Sequence, residues 1–168
     1  MTPLLPPSPS LLDKYHGDDA APLYTGRVRV DGGEAAHGRA SGVVRSDDGA
    51  LEIALRLPPE LGGPGGGANP EQLLAASYAA CFHGAMVLLA ARRGVALREA
   101  SVEAAVTFAR DPVDGQFLLS ADILVRLPGV ERATAAGLVR QTERICPYAK
   151  LFRKGARHVV ALAPDDAG

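Results

Sequence analysis

The chain has 168 residues, 47% of them hydrophobic and 22% charged, with a formal net charge of −1 at pH 7. That is the size and composition of one globular domain with an aliphatic core, and it lacks the basic excess that nucleic acids or anionic membranes select. Aromatic residues make up 5% and Trp is absent, so stacking platforms for bases or sugars are not expected.

Residues 1–21 are rich in Pro and Ser and read as a flexible extension, with the folded domain expected over 22–164. Prolines interrupt the early leucines, no basic residue precedes them and acids follow, so neither a signal peptide nor an anchor is expected. No segment is expected to span a bilayer, and the expected location is the cytoplasm. Residues 23–30 alternate as a strand does, and Asp31-Gly32-Gly33 then supplies a turn. Short strands are predicted over 42–45 and 51–57, on either side of Ser46-Asp47-Asp48-Gly49, which completes a three-stranded meander.

Pro58-Pro59 ends the third strand, and the run from Leu61 to Gly67 holds too much glycine for regular structure. It leads into a helix. Asn69 is the N-cap, Pro70 suits the first helical position and Gln72 completes a capping box. Residues 73–89 are almost wholly apolar or small, and Arg92-Arg93-Gly94 gives a cationic, glycine-terminated end. A helix apolar on nearly every face needs cover on nearly every face, more than these strands supply, so a homodimer is expected. A hairpin of 100–108 with 117–127 follows. A helix over 131–144 then turns Leu138 and Ile145 inward, Cys146-Pro147 interrupts it, and 158–163 is predicted as a last strand.

Cys81 lies in the long helix and Cys146 at the end of the later one. Neither belongs to a C-x-x-C or to a cluster with metal-ligand spacing, so no bound metal or cofactor is expected, and in a reducing compartment a disulfide between them is transient. Taken alone, each fits a small core hydrophobe better than a nucleophile. The chemical alternative needs a cation that favours the thiolate, and Arg39 and Arg45 precede the helix as candidates.

The surrounding motifs change this balance. Asn69-Pro70-Glu71-Gln72-Leu73-Leu74-Ala75-Ala76-Ser77-Tyr78-Ala79-Ala80-Cys81-Phe82, preceded by Leu61-Gly62-Gly63-Pro64-Gly65-Gly66, resembles the signature of the organic hydroperoxide resistance branch of the OsmC/Ohr family. Ile145-Cys146-Pro147-Tyr148 is similar to that branch's second cysteine motif, and Leu127-Pro128-Gly129-Val130 to its approach to the second helix. The resemblance extends over about 23–162. It implies an α+β fold, an intertwined homodimer with β-sheets wrapped around long central buried helices and active sites at the subunit interface. It also implies reduction of organic and fatty-acid hydroperoxides, with Cys81 attacking and Cys146 resolving. The implied reductant is an external dithiol, dihydrolipoamide or a lipoylated protein.

Family members pair an arginine with the Glu of Asn-Pro-Glu, here Glu71. Gly38-Arg39 falls on the arginine position, with Arg45 as the alternative and 34–37 as an inserted stretch. Ten residues separate Glu71 from Cys81, about 15 Å of helical rise. Either the helix breaks, a long arginine bridges, or the partner subunit supplies one group. Two other readings stand beside this one: an OsmC-like peroxidase of broader stress role and, because residues 149–153 depart from the family pattern, a non-enzymatic module for apolar ligands on the same fold.

Overall fold

The structure is a computed structural model that describes residues 9–163. Residues 1–8 of the expected extension and residue 164 of the expected domain lie outside the described residues. The described chain divides into two compact units. One holds the residues up to Ala79 with Glu103–Ile123, the other Ala80–Val102 with the residues from Leu124 onward.

In the first unit, β1 (Val28–Asp31), β2 (Val43–Ser46) and β3 (Glu52–Ala54) form an antiparallel sheet in that order, with Arg29 opposite Arg45 and Val44 opposite Ile53. The turn between β2 and β3 closes as its Asp-Gly chemistry predicts. The Ser46 hydroxyl donates to Asp48 at 2.6 Å, and the Gly49 N–H, at φ 72°, donates to the Ser46 carbonyl at 3.2 Å. Two strands are shorter than expected. Leu23 and Tyr24 lie outside β1 and are 84% and 83% exposed. β3 ends at Ala54; the Leu55 N–H still meets the Gly42 carbonyl at 2.9 Å in line with β2, but beyond it the Arg56 N–H turns to the Ala68 carbonyl at 2.9 Å and the Ala68 N–H to the Ala54 carbonyl at 3.0 Å.

These bonds fold the glycine-rich loop back along the end of β3. The approach is so close that a Cβ at Gly63 would strike the Leu57 carbonyl, and one at Gly67 would come within 2.8 Å of the Ala54 carbonyl. Only glycine fits there. The loop delivers Asn69 to the start of α1 (Pro70–Arg92). The capping box forms as predicted: the Gln72 N–H donates to Asn69 Oδ1 at 2.9 Å, and the Asn69 N–H to Gln72 Oε1 at 3.2 Å.

Within the chain, α1 buries one stripe only: Tyr78, Phe82, Met86, Leu89 and Ala90. The opposite stripe, Ala76, Ala80, Gly84, Val87 and Ala91, is exposed. By length and composition α1 is also apolar enough to cross a membrane, with a mean hydropathy of 1.8. This corrects the expectation that no segment passes that test: residues 73–91 contain no Asp, Glu, Lys or Arg. His83, Ser77 and Tyr78 lie along that stretch.

The hairpin is present as β4 (Ser101–Arg110) and β5 (Phe117–Arg126). Its loop is held by the N–H of Val113 donating to Asp111 Oδ1 and that of Gln116 to Asp114 Oδ1, each at 2.8 Å. The second helix, α2 (Arg132–Ile145), is capped by Glu131, whose carboxylate accepts from the N–H groups of Ala133 and Thr134 at 2.8 Å. Those two donors hold the Glu131 carboxyl below its ordinary pKa.

Two expectations are corrected in this half, those for Ile145 and for residues 158–163. Ile145 is 44% exposed, because the buried face follows steps of four through Leu138, Thr142 and Cys146 and leaves position 145 at its edge. The expected interruption at Cys146-Pro147 is present, and helical structure restarts after it: α3 (Pro147–Lys154) has Cys146 as its N-cap and Pro147 at its first position. Residues 158–163 form no strand, and Val159, Val160 and Leu162 are 78%, 90% and 95% exposed, with no ladder to join. The departing stretch 149–153 lies within α3. It buries Ala149 and ties α3 to α2 through Arg153, which donates to the Glu143 carbonyl at 3.1 Å and to its carboxylate at 3.2 Å.

Candidate active site

Cys81 lies mid-way along α1 and Cys146 at the junction of α2 and α3, and their sulfurs are 3.8 Å apart. Both are free thiols; Cys146 is fully buried and Cys81 half-buried. An S–S bond measures about 2.05 Å, so closure needs an approach of about 2 Å. The Cys-Pro junction is where the chain can supply it. Thr142, also fully buried, satisfies its hydroxyl on the Leu138 carbonyl at 2.8 Å. The last turn of α2 therefore carries no unpaired side-chain polar atom toward the sulfurs.

Burial is the main cause that pushes the Cys81 thiol up to about 11, and the neighbouring Cys146 adds to it. The backbone N–H of Tyr148 acts in the opposite direction. That donor belongs to the first turn of α3, where N–H groups have no intrahelical acceptor. Cys146, as N-cap, makes no side-chain bond to them.

The first unit brings Arg39 and Glu71 together. Arg39 stands in the loop between β1 and β2, just after a single 3-10 turn at Ala35–His37. Ala40 beside it is buried and fixes the loop. Arg39 Nη1 donates to Glu71 Oε1 at 2.6 Å. The Arg39 guanidinium carbon also lies 3.8 Å over the centre of the Phe108 ring. Phe108 stacks on Phe117 at 4.8 Å and 26°, and Arg110 lies 4.3 Å over Phe117. Arg45, the alternative arginine, instead pairs across the strands with Glu52 at 3.3 Å and is exposed.

Two clefts border this group and share Phe108. One, of about 380 Å³, includes Glu71, Leu61, Ala75 and Val106; the other, of about 460 Å³, includes Arg39, Phe117 and Leu119. Each is mostly apolar with one charged edge, as a site for a small organic molecule is. Along α1, Phe82 and Met86 are core, Tyr78 is buried on the same stripe, and Leu73 and His83 are half-buried. Among the described residues no group of three or more His, Cys, Asp or Glu is placed to hold a metal ion. Phe108 and Phe117 were not read from the sequence as site residues. The available signal was compositional, since two of only four phenylalanines flank one hairpin loop beside Arg110.

The family model described as OsmC-like protein matches residues 63–160, which include Glu71, both cysteines and the hairpin. An organic hydroperoxide resistance protein of Xanthomonas axonopodis pv. citri is 39% identical over 143 residues, spanning 84% of this chain and 95% of that protein. The chain belongs to the OsmC/Ohr family. Its mixed α/β fold matches solved structures of the family. The organic hydroperoxide resistance protein of Elizabethkingia anophelis superposes with a TM-score of 0.72 at 34% identity, covering 80% of this chain and 92% of that one. For OhrB of Bacillus subtilis the TM-score is 0.67 at 34% identity, covering 79% and 93%. The loop that carries Arg39 precedes the matched 63–160 segment.

Proposed function

We propose that this chain is a thiol peroxidase that reduces organic hydroperoxides, fatty-acid hydroperoxides among them, to alcohols. The observation that carries the reading is the pair of free thiols 3.8 Å apart, in a chain whose relatives are named for organic hydroperoxide resistance. The Cys81 thiolate attacks the outer peroxide oxygen. The O–O bond breaks, Cys81 becomes a sulfenic acid, and the alkoxide leaves and takes a proton to become the alcohol. Cys146 then attacks the Cys81 sulfur, water leaves and a disulfide forms. A dithiol such as dihydrolipoamide, free or on a lipoylated protein, exchanges through a mixed disulfide and returns both thiols while itself becoming the cyclic disulfide.

In this proposal Arg39 supplies the charge that favours the thiolate, and Glu71 fixes the guanidinium by a charge-assisted bond. The apolar clefts beside Arg39 and Glu71 suit the organic part of a hydroperoxide better than hydrogen peroxide. The free state of the thiols fits the cytoplasm, where an external dithiol is available. The decisive assay measures consumption of cumene hydroperoxide and of hydrogen peroxide with dihydrolipoamide as the reductant. Turnover of the organic peroxide well above that of hydrogen peroxide is expected. Absence of turnover with either, alongside tight binding of an apolar ligand, would instead make the protein a binding module.

The exposed stripe of α1 is assigned to a second copy of the chain in an intertwined dimer, with the long helices central. Ala76, Ala80, Gly84, Val87 and Ala91 are small enough for close helix approach and too apolar to remain in water. Gly84→Arg should convert a dimer into a monomer or an aggregate, as read by light scattering. A wild-type chain that is monomeric at micromolar concentration would remove the dimer from the proposal.

A further inference from the structure

We propose that Phe108 is the positioning residue of Arg39, its ring seating the guanidinium that Glu71 alone leaves free to turn. This rests on the reading that Arg39 serves the Cys81 thiol. The bond between Arg39 Nη1 and Glu71 Oε1 is a single contact, and a guanidinium held by one N–H can still rotate about that bond. The two side chains are 38% and 16% exposed, so water screens the pair and weakens its hold on a long side chain. The ring adds a contact of a different kind. It meets the flat face of the guanidinium at 3.8 Å while Glu71 meets its edge, so the two contacts fix different rotations and do not compete.

The Phe108 ring is itself held from behind. Phe117 stacks on its other face, and Arg110 covers the far side of Phe117, since each ring face accommodates one neighbour at these distances. The result is an ordered stack of guanidinium, ring, ring and guanidinium, built across the two ends of the hairpin loop. The short loop between Arg110 and Phe117 is closed by the N–H of Asp111 donating to the Gln116 carbonyl at 3.1 Å. The hairpin is thus a rigid bracket for a residue that stands in a loop.

The test combines Phe108→Leu, which keeps an apolar side chain but removes the π face, with Phe108→Tyr, which keeps the face. Each is made in the wild-type and in the Arg39→Gln background. Two quantities are read: kcat/KM for cumene hydroperoxide, and the pH dependence of Cys81 alkylation by iodoacetamide in the Cys146→Ser chain. Phe108→Leu should lower kcat/KM about two- to fivefold, the range of a partly exposed cation–π contact, and move the alkylation profile to higher pH. Phe108→Tyr should restore both. In the Arg39→Gln background Phe108→Leu should change neither. An equal loss in both backgrounds, or no rescue by Tyr, would overturn the inference and leave Phe108 a packing residue. The alkylation profile needs no peroxide, so it decides the matter even if turnover is absent and the peroxidase reading itself falls.

Discussion

Cys81→Ser should reduce peroxide turnover to the uncatalysed background, a loss of at least about 10³-fold, with the fold retained. A neutral serine hydroxyl is a far weaker nucleophile toward an O–O bond than a thiolate is. Cys146→Ser should behave differently. The attacking sulfur is intact, so one equivalent of alcohol per site should form in a burst, and the sulfenic acid should then accumulate and be trapped by dimedone on Cys81. Slow turnover by direct reduction of the sulfenate is compatible with this, at a rate at least about tenfold lower at limiting dithiol. In the wild type, one equivalent of peroxide without reductant should join the two cysteine peptides in a non-reducing digest. Full steady-state activity in Cys146→Ser at limiting dithiol would remove the resolving role, and full activity in Cys81→Ser would remove the mechanism.

The asymmetry between the two variants follows from where the sulfurs sit. Cys81 is the more accessible, and it lies within a continuous helix whose backbone offers no easy displacement. Cys146 is fully buried yet stands at the joint between two helices. In the proposed mechanism an oxidised Cys81 waits for its partner while the sulfurs close the remaining distance of about 2 Å between the present contact and a bond. On the same proposal, a buried resolving thiol would meet the sulfenic acid before a bulky external thiol does.

Features that depend on neighbours in sequence were legible from the sequence, and those that depend on distant packing were not. The capping box at Asn69 and Gln72, the Ser46 to Gly49 turn and the hairpin ends each rest on residues within a few positions of one another. The interruption at Cys146-Pro147 was legible because a proline inside a helical pattern breaks it. Here it occupies the first position of a new helix, where a missing N–H costs nothing. The pattern His158-Val159-Val160-Ala161-Leu162 has strand propensity, but propensity needs a ladder partner to become a strand. The two cysteines, 65 positions apart, were paired through motif resemblance; spacing alone allowed contact without requiring it. The stack on Arg39 was invisible because it joins the loop before β2 to both strands of a hairpin some seventy residues later, and no local pattern encodes that.

Arg39→Gln is expected to have the second-largest effect. Burial, with Cys146 beside it, pushes the Cys81 thiol up to about 11 while Arg39 is paired with Glu71, a range in which little thiolate is present at neutral pH. A nucleophile so scarce is slow, so a working site must lower this value, and a nearby guanidinium does so by favouring the charged form. The sign is therefore fixed. In the proposed mechanism the guanidinium favours the Cys81 thiolate, so Arg39→Gln should move the Cys81 titration upward from its wild-type position. At neutral pH kcat/KM should fall about 10²-fold, the scale of losing one charge-stabilising donor at a reacting group. The loss should shrink as pH rises, because the variant gains thiolate tenfold per pH unit where the wild type has already levelled off. Arg39→Lys should recover part of the thiolate but less of the rate, since an ammonium keeps the charge and lacks the planar edge that meets Glu71 and the flat face that meets Phe108. Arg45→Gln serves as the control and should leave both titration and rate unchanged, because that arginine is engaged with Glu52 across the sheet. If Arg39→Gln titrates and turns over like the wild type while Arg45→Gln does not, the charge beside the thiol belongs to Arg45.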